Sequence, residues 1–212
     1  MRIILARHGE TEWNVREIFR GRSDIPLNEN GLKQAELLAE YLKDIAVEAV
    51  YSSPLKRAFA TAQAIARRHG LEVQPTAGLN DMDFGEWEGV PIDEVAVKHK
   101  ALYKQWINHP EVVKMPGGES LAGVRDRVLE VVDEVVAGHR GTVALVSHRV
   151  IHKVIICALL GLDNSHFWNI RMDTCGITTF TCESAQGSRY ILHEHNNTSF
   201  LKPLSGDKLA DF

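Results

Sequence analysis

The stretch Ile3-Ile4-Leu5-Ala6-Arg7-His8-Gly9-Glu10-Thr11 decides how the rest of the chain is read. Four apolar residues in a row, β-branched at the start, form a short strand buried on both sides, and the run breaks into Arg-His-Gly. In an open α/β sheet the carboxyl ends of the strands are where ligands bind, because loop amides and helix N-termini converge there. An arginine beside the histidine makes this a poor metal site, since a fixed cation repels a divalent ion. It is a good phosphate site, because a guanidinium fork matches phosphate oxygens two at a time.

Outward from this strand, apolar and amphipathic segments alternate. Strands are predicted at residues 2–6, 47–51, 71–74 and 142–146. Helices are predicted at 31–43, 55–69, 150–160 and over the periodic run Leu121, Val124, Val128, Val131, Val132 and Val135. Pro54 suits the first helical position of its segment, Gly70 closes it, and Ser52 and Ser53 are read as its caps. Segments 177–182 and 189–194 form a hairpin turning near Gly187. The alternation predicts an α/β fold, a three-layer αβα sandwich on a mostly parallel twisted sheet with an antiparallel edge strand. One domain is expected over 1–212, with a lid insert at about 81–117.

Parallel strands bring their ends to one rim. Arg7 and His8 end the first strand. Arg57 lies a helical turn beyond the second, and Ser147-His148 end the fourth. Arg7 and Arg57 are the predicted phosphate clamps, His8 the nucleophile, and His148, expected protonated, the stabiliser of the phosphoryl oxygens. The turn 79–89 supplies carboxylates among aromatic residues, where burial raises a pKa toward general-acid use. Residue chemistry alone leaves Asp81, Asp83, Glu86 and Glu88 open.

The chain has 212 residues, 44% hydrophobic and 25% charged, with a net charge of −4. This is ordinary globular composition, and the acidic balance argues against a nucleic-acid partner. Three cysteines without a CxxC pair point to reduced thiols, the N-terminus shows no secretion-type apolar run, and the longest apolar stretch, 150–162, contains His152 and Lys153. The expectation is a cytoplasmic protein without a membrane partner.

Arg7-His8-Gly9-Glu10-Thr11 with Trp13-Asn14 resembles the signature of the histidine phosphatase superfamily, its phosphoglycerate-mutase-like branch. Further matching segments follow in order: Phe19-Arg20-Gly21, Ser52-Ser53-Pro54-Leu55-Lys56-Arg57-Ala58, Asp83-Phe84-Gly85-Glu86-Trp87-Glu88-Gly89, Pro116-Gly117-Gly118-Glu119-Ser120 and Val146-Ser147-His148. The resemblance implies a phosphohistidine at His8 within a pocket of Arg7, Arg57 and His148. It places Asn14, Arg20 and Gly21 at the substrate, and needs neither metal nor cofactor. It puts the general acid at Asp81, where relatives usually carry the longer Glu, with Asp83 in reserve. Arg149 replaces a frequent Gly, and is either an extra cation for an acidic substrate or a solvent-facing side chain. Phe200 replaces a frequent His.

The implied activity is hydrolysis of a small phosphorylated metabolite, such as phosphoserine or another acidic phosphoester. The alternatives are a 2,3-bisphosphoglycerate-dependent phosphoglycerate mutase and an α-ribazole 5′-phosphate phosphatase. The short insert favours water as acceptor, and relatives leave a homodimer open. His193 and His195 share a strand face without a third metal ligand, and Glu119-Ser120 is read as a cap of the long helix.

Overall fold

The computed structural model describes residues 1–183 and 189–204. Among the described residues six strands form one sheet: β1 (Arg2–Arg7), β2 (Val47–Ser52), β3 (Val73–Pro75), β4 (Thr142–Ser147), β5 (Ile177–Glu183) and β6 (Arg189–Asn197), in the order β3-β2-β4-β1-β5-β6. β1, β2, β3 and β4 pair in parallel. β5 runs antiparallel to β1, and β6 antiparallel to β5, so two strands rather than one complete that side. Gly187, expected near their turn, lies outside the described residues.

The period-two alternation of β1 explains the layers. Ile3 and Leu5 enter a core cluster with Val143 and Leu145 of β4 and the apolar stripes of α6 (Leu121–Gly138) and α7 (Arg149–Leu159). Ile4 and Ala6 enter the opposite cluster, with Val146 and the faces of α2 (Glu29–Leu42) and α3 (Lys56–His69). Both faces of the sheet are therefore covered, which is the three-layer arrangement expected.

Local differences have local causes. A four-residue helix, α1 (Glu12–Val15), escapes periodicity because it is held by a capping box between Thr11 and Asn14 rather than by an apolar stripe. α3 starts at Lys56; its N-cap residue Leu55 offers no side-chain cap, and Asp24 accepts from the Lys56 amide at 2.7 Å in its place. Ser52 instead donates to the Ser53 carbonyl, and Ser53 bonds Asn80 and the Leu55 amide, so the expected caps staple the loop beneath the helix. Gly70 ends α3 in the left-handed region at φ 64°, as anticipated.

The segment between β3 and α6 carries α4 (Ile92–Lys98), α5 (Lys100–Asn108) and three short 3-10 turns. It is packed rather than loose: Trp87 and Trp106 are fully buried, and Phe19, Phe84, Trp106 and Phe167 form a chain of ring contacts at 5.0–5.9 Å. Trp106 is thus a core residue of the insert and Tyr103 packs half-buried against it, the packing roles expected.

Candidate active site

Register brings the predicted rim together. Arg7 of β1 pairs with Ser147 of β4, and Ser52 of β2 with Val146, so three strand ends lie side by side. The turn after β1 stays tight because Gly9 and Gly31 meet backbone to backbone. A Cβ on Gly9 would lie 2.5 Å from the Gly31 carbonyl oxygen, and one on Gly31 2.0 Å from that of Glu10. The Gly9 amide donates to Thr61 of α3 at 3.1 Å, a contact that nothing in the sequence advertises.

His8 and His148 face one another with ring centroids 5.1 Å apart, both essentially excluded from solvent. Their hydrogen bonds fix opposite tautomers. A carbonyl only accepts, so the 2.6 Å contact with Gly9 places the His8 proton on Nδ1 and leaves an Nε2 lone pair. A guanidinium only donates, so the 3.2 Å bond from Arg57 Nε makes His148 Nδ1 the acceptor and puts its proton on Nε2. That Nε2 is buried with no hydrogen-bond partner in the protein, as befits a donor kept for a ligand oxygen.

Burial, then Arg57, then Arg7 hold His8 well below the ordinary imidazole value, against the opposing Gly9 carbonyl. Burial and Arg57 do the same to His148, with His8 adding to the effect. In the unliganded protein burial and the surrounding guanidinium groups keep His148 a neutral Nε2–H donor; the expected protonation belongs to the site with its anion bound.

Four arginines converge here. Arg7 donates to the Met172 carbonyl. Arg57 is fully buried and donates to the carbonyls of Gly21 (2.7 Å) and Ser23 (2.8 Å) and to Asp81 Oδ2 (3.2 Å). Arg20 donates to the carbonyls of Trp13 and Ile18, and its pKa is pushed far down by burial, then by Arg7 and Arg149. Arg149 turns inward, buried, with its guanidinium 5.7 Å from the Trp168 ring centre. Arg20, Asp81 and Arg149, with Ile18, Phe19, Phe84, Ile92 and Val150, line the narrow pocket that leads inward. Four guanidinium groups around one small opening, with the Asp81 carboxylate among them, suit a compact polyanion and repel a metal ion.

The four carboxylates of the 79–89 turn separate clearly. Only Asp81 reaches the cradle, with Oδ2 at 3.2 Å from Arg57 and 3.7 Å from His148 Nδ1. Asp83 accepts from the Gly85 amide, Glu88 from Arg22 and Ser23, and Glu86 sits exposed in a 3-10 turn. Gly21, at φ 48°, contributes its carbonyl to Arg57, and Asn14 holds the cap of α1 through its amide oxygen. Arg22 is drawn away to Glu119. His152 is structural, bonded to the Ala6 carbonyl at 2.9 Å. His193 and His195 each pair with a threonine of β5.

A neutral imidazole with a free lone pair inside a cage of guanidinium groups is the geometry of an enzyme that moves phosphoryl groups. The family model of the histidine phosphatase superfamily (branch 1) matches residues 3–198, and the chain belongs to that family. It is 39% identical over 198 residues to phosphoserine phosphatase 1 of Hydrogenobacter thermophilus, covering 93% of this chain and 89% of that one. Among solved structures, Bacillus stearothermophilus YhfR superposes with a TM-score of 0.89 at 28% identity, covering 94% of this chain and 98% of the other. Mycobacterial glucosyl-3-phosphoglycerate phosphatase superposes at 0.86 and 28% identity, covering 93% and 99%. Family and phosphatase-named relatives together make the protein a phosphoric monoester hydrolase.

Proposed function

We propose that the chain hydrolyses small phosphomonoesters through a phosphohistidine on His8, with Asp81 as general acid and then general base. Nε2 of His8 attacks phosphorus, the ester P–O bond breaks, and the departing alkoxide takes the Asp81 proton. Water then attacks the phosphohistidine, the N–P bond breaks, and the water proton passes to Asp81. Arg7, Arg57 and His148 Nε2–H carry the phosphoryl oxygens through both steps, so no metal or cofactor is required. The observation that carries this reading is the pair of opposed tautomers, one histidine presenting a lone pair and the other a proton.

The substrate is a small acidic ester such as phosphoserine. The inward Arg149 supports a carboxylate beside the phosphate, since a guanidinium held buried against Trp168 has an anion-facing pocket rather than solvent before it. Buried free thiols at Cys157, Cys175 and Cys182 support a cytoplasmic setting. Among the described residues no helix is long and apolar enough to cross a membrane.

The pocket is more closed than its short insert suggests, with His8 only 1% exposed. That seclusion favours, as second reading, transfer to a bound phospho-acid. The test is rapid mixing with 32P-labelled phosphoserine in the presence of EDTA, quenched without acid. The expected result is an acid-labile label on the wild type and none on His8→Ala, followed by release of inorganic phosphate. Label passing instead to 3-phosphoglycerate would select the mutase, and no label with undiminished turnover would end the phosphohistidine reading.

A further inference from the structure

The loop that carries Asp81 has no secondary structure after the 3-10 turn at Ala77–Leu79, yet it must hold a short carboxylate at a fixed place. The side chain that grips it comes from α6, where the half-buried Arg127 borders the apolar stripe. Arg127 has five N–H donors, and all five are used. Nη1 donates to the carbonyls of Gly78 (2.7 Å) and Asn80 (2.8 Å), and Nη2 to that of Asp81 itself (3.2 Å). Nε and the second Nη2 proton bond the two oxygens of Glu119, both at 3.0 Å.

Glu119 ties the other side of the same segment. It accepts from the Asp83 amide at 2.9 Å, while its own amide donates to the Asp83 carbonyl. Burial would raise its pKa, but the bonds from Arg127 and the Asp83 amide hold it below the ordinary value, so the pair is ionic at neutral pH. From the strand side, Ser147 donates to the Leu79 carbonyl at 2.6 Å and Ser53 to Asn80 at 3.0 Å.

We propose that Arg127 is the positioning residue of the acid–base step: by clasping the carbonyls of Gly78, Asn80 and Asp81 against Glu119, it sets where Asp81 stands against the phosphate cradle. This rests on the reading of Asp81 as general acid. Aspartate is one methylene shorter than glutamate, so its reach is set by the backbone, and the backbone is set by Arg127. Arg127 itself contacts no reacting atom.

Leaving-group dependence separates this role from ordinary support of the fold. An alkyl ester such as phosphoserine needs its alkoxide protonated, whereas p-nitrophenolate leaves unaided. Arg127→Gln is expected to lower kcat on phosphoserine by about a hundredfold and on p-nitrophenyl phosphate by less than about threefold. Arg127→Lys keeps a charge for Glu119 but cannot fork to three carbonyls; it is expected to show the same asymmetry and carries the test if the glutamine variant does not fold. The double variant with Asp81→Asn is expected to be no slower on phosphoserine than Asp81→Asn alone. Equal losses on both esters, or an additive double variant, would overturn the positioning role while leaving Asp81 in place. An Asp81→Asn variant without leaving-group dependence would overturn the acid itself, and Arg127 with it.

Discussion

The two halves of the candidate site are held by different forces. The phosphate cradle stands on sheet register: β1, β2 and β4 are locked by parallel ladders, and His8, Arg57 and His148 follow within a few residues of their ends. The acid side stands on an irregular insert whose backbone is held by side chains, among them Ser147 on Leu79 and Glu119 on Asp83. Ladder geometry is shared over many bonds and tolerates the loss of one. A loop pinned by a handful of side-chain bonds does not. Substitutions in the cradle should therefore remove chemistry and leave the fold, whereas substitutions around the acid should shift the proton transfer selectively.

The sharpest break between the halves is at His8. His8→Ala should lower turnover by at least ~10⁴-fold on every ester, whatever its leaving group, because the proposed mechanism has no other group to form the covalent intermediate. Steady-state rates on phosphoserine and p-nitrophenyl phosphate check this, and its melting temperature should stay near that of the wild type. A variant that slowed one ester alone would assign His8 to the acid half instead.

Asp81→Asn sharpens the contrast from the other side. The expected loss is roughly 10²- to 10³-fold in kcat on phosphoserine and within a few-fold on p-nitrophenyl phosphate. The asparagine oxygen can keep the bond that Met82 donates, but its amide nitrogen cannot accept from Arg57, so the variant loses the ion pair together with the proton. Asp83→Asn, whose side chain closes the Gly85 turn and pairs with Arg22 outside the cradle, should lack this asymmetry.

The same division governs what the sequence makes legible. β1, its Arg7-His8 terminus and the Ser147-His148 terminus are readable because a buried strand has a continuous apolar signature, and its end is where that signature stops. Arg57 follows from its place beyond β2. The three-layer fold follows from alternation alone. The choice of Asp81 over Asp83, Glu86 and Glu88 is not readable from chemistry, since all four sit in one polar turn and differ only in which way the backbone aims them. The direction of Arg149 is unreadable for the same reason: one residue of helix rotation separates the pocket from solvent. The neutral state of the unliganded His148 leaves no signal either, because it follows from burial and from Arg57 and Arg20, which are remote in sequence. Thr61 and the role of Ser53 leave no signal, as each is an ordinary helix or strand-end polar residue until the loop lands on it.

Beneath the cradle the ladder has a titratable weak point. His152 is fully buried under β1 with its pKa lowered by burial to about 4, from an ordinary value near 6.5. The unfolded chain takes up a proton as pH falls through 6.5 while the folded one does not, so stability is complete above 6.5. It is lost progressively down to about 4, by about 3 kcal/mol from this residue. His8 and His148, lowered in the same direction, add to the loss. Urea midpoints at pH 7, 5.5 and 4.5 should fall steeply for the wild type and less steeply for His152→Leu. Parallel curves would mean that the buried imidazole is not the group being titrated.

The smallest effect lies where the two halves meet, at the mouth of the pocket. Arg149 leaves α7 one residue after His148 but faces the insert, and its ring partner Trp168 donates its indole N–H to the Trp106 carbonyl of α5 at 2.6 Å. A guanidinium so placed contributes to binding rather than to bond breaking. Arg149→Ala should raise KM for phosphoserine by roughly tenfold, the worth of one charge-assisted hydrogen bond, and leave kcat near the wild-type value. On p-nitrophenyl phosphate, which has no carboxylate, KM should hardly move. If both KM values rise together, Arg149 serves the phosphate and belongs with the cradle. If neither moves, the carboxylate is bound elsewhere and the acidic-ester assignment loses its main support. A selective rise would instead mark α7 as the element that joins register-built catalysis to insert-built specificity, since it presents His148 to one and Arg149 to the other.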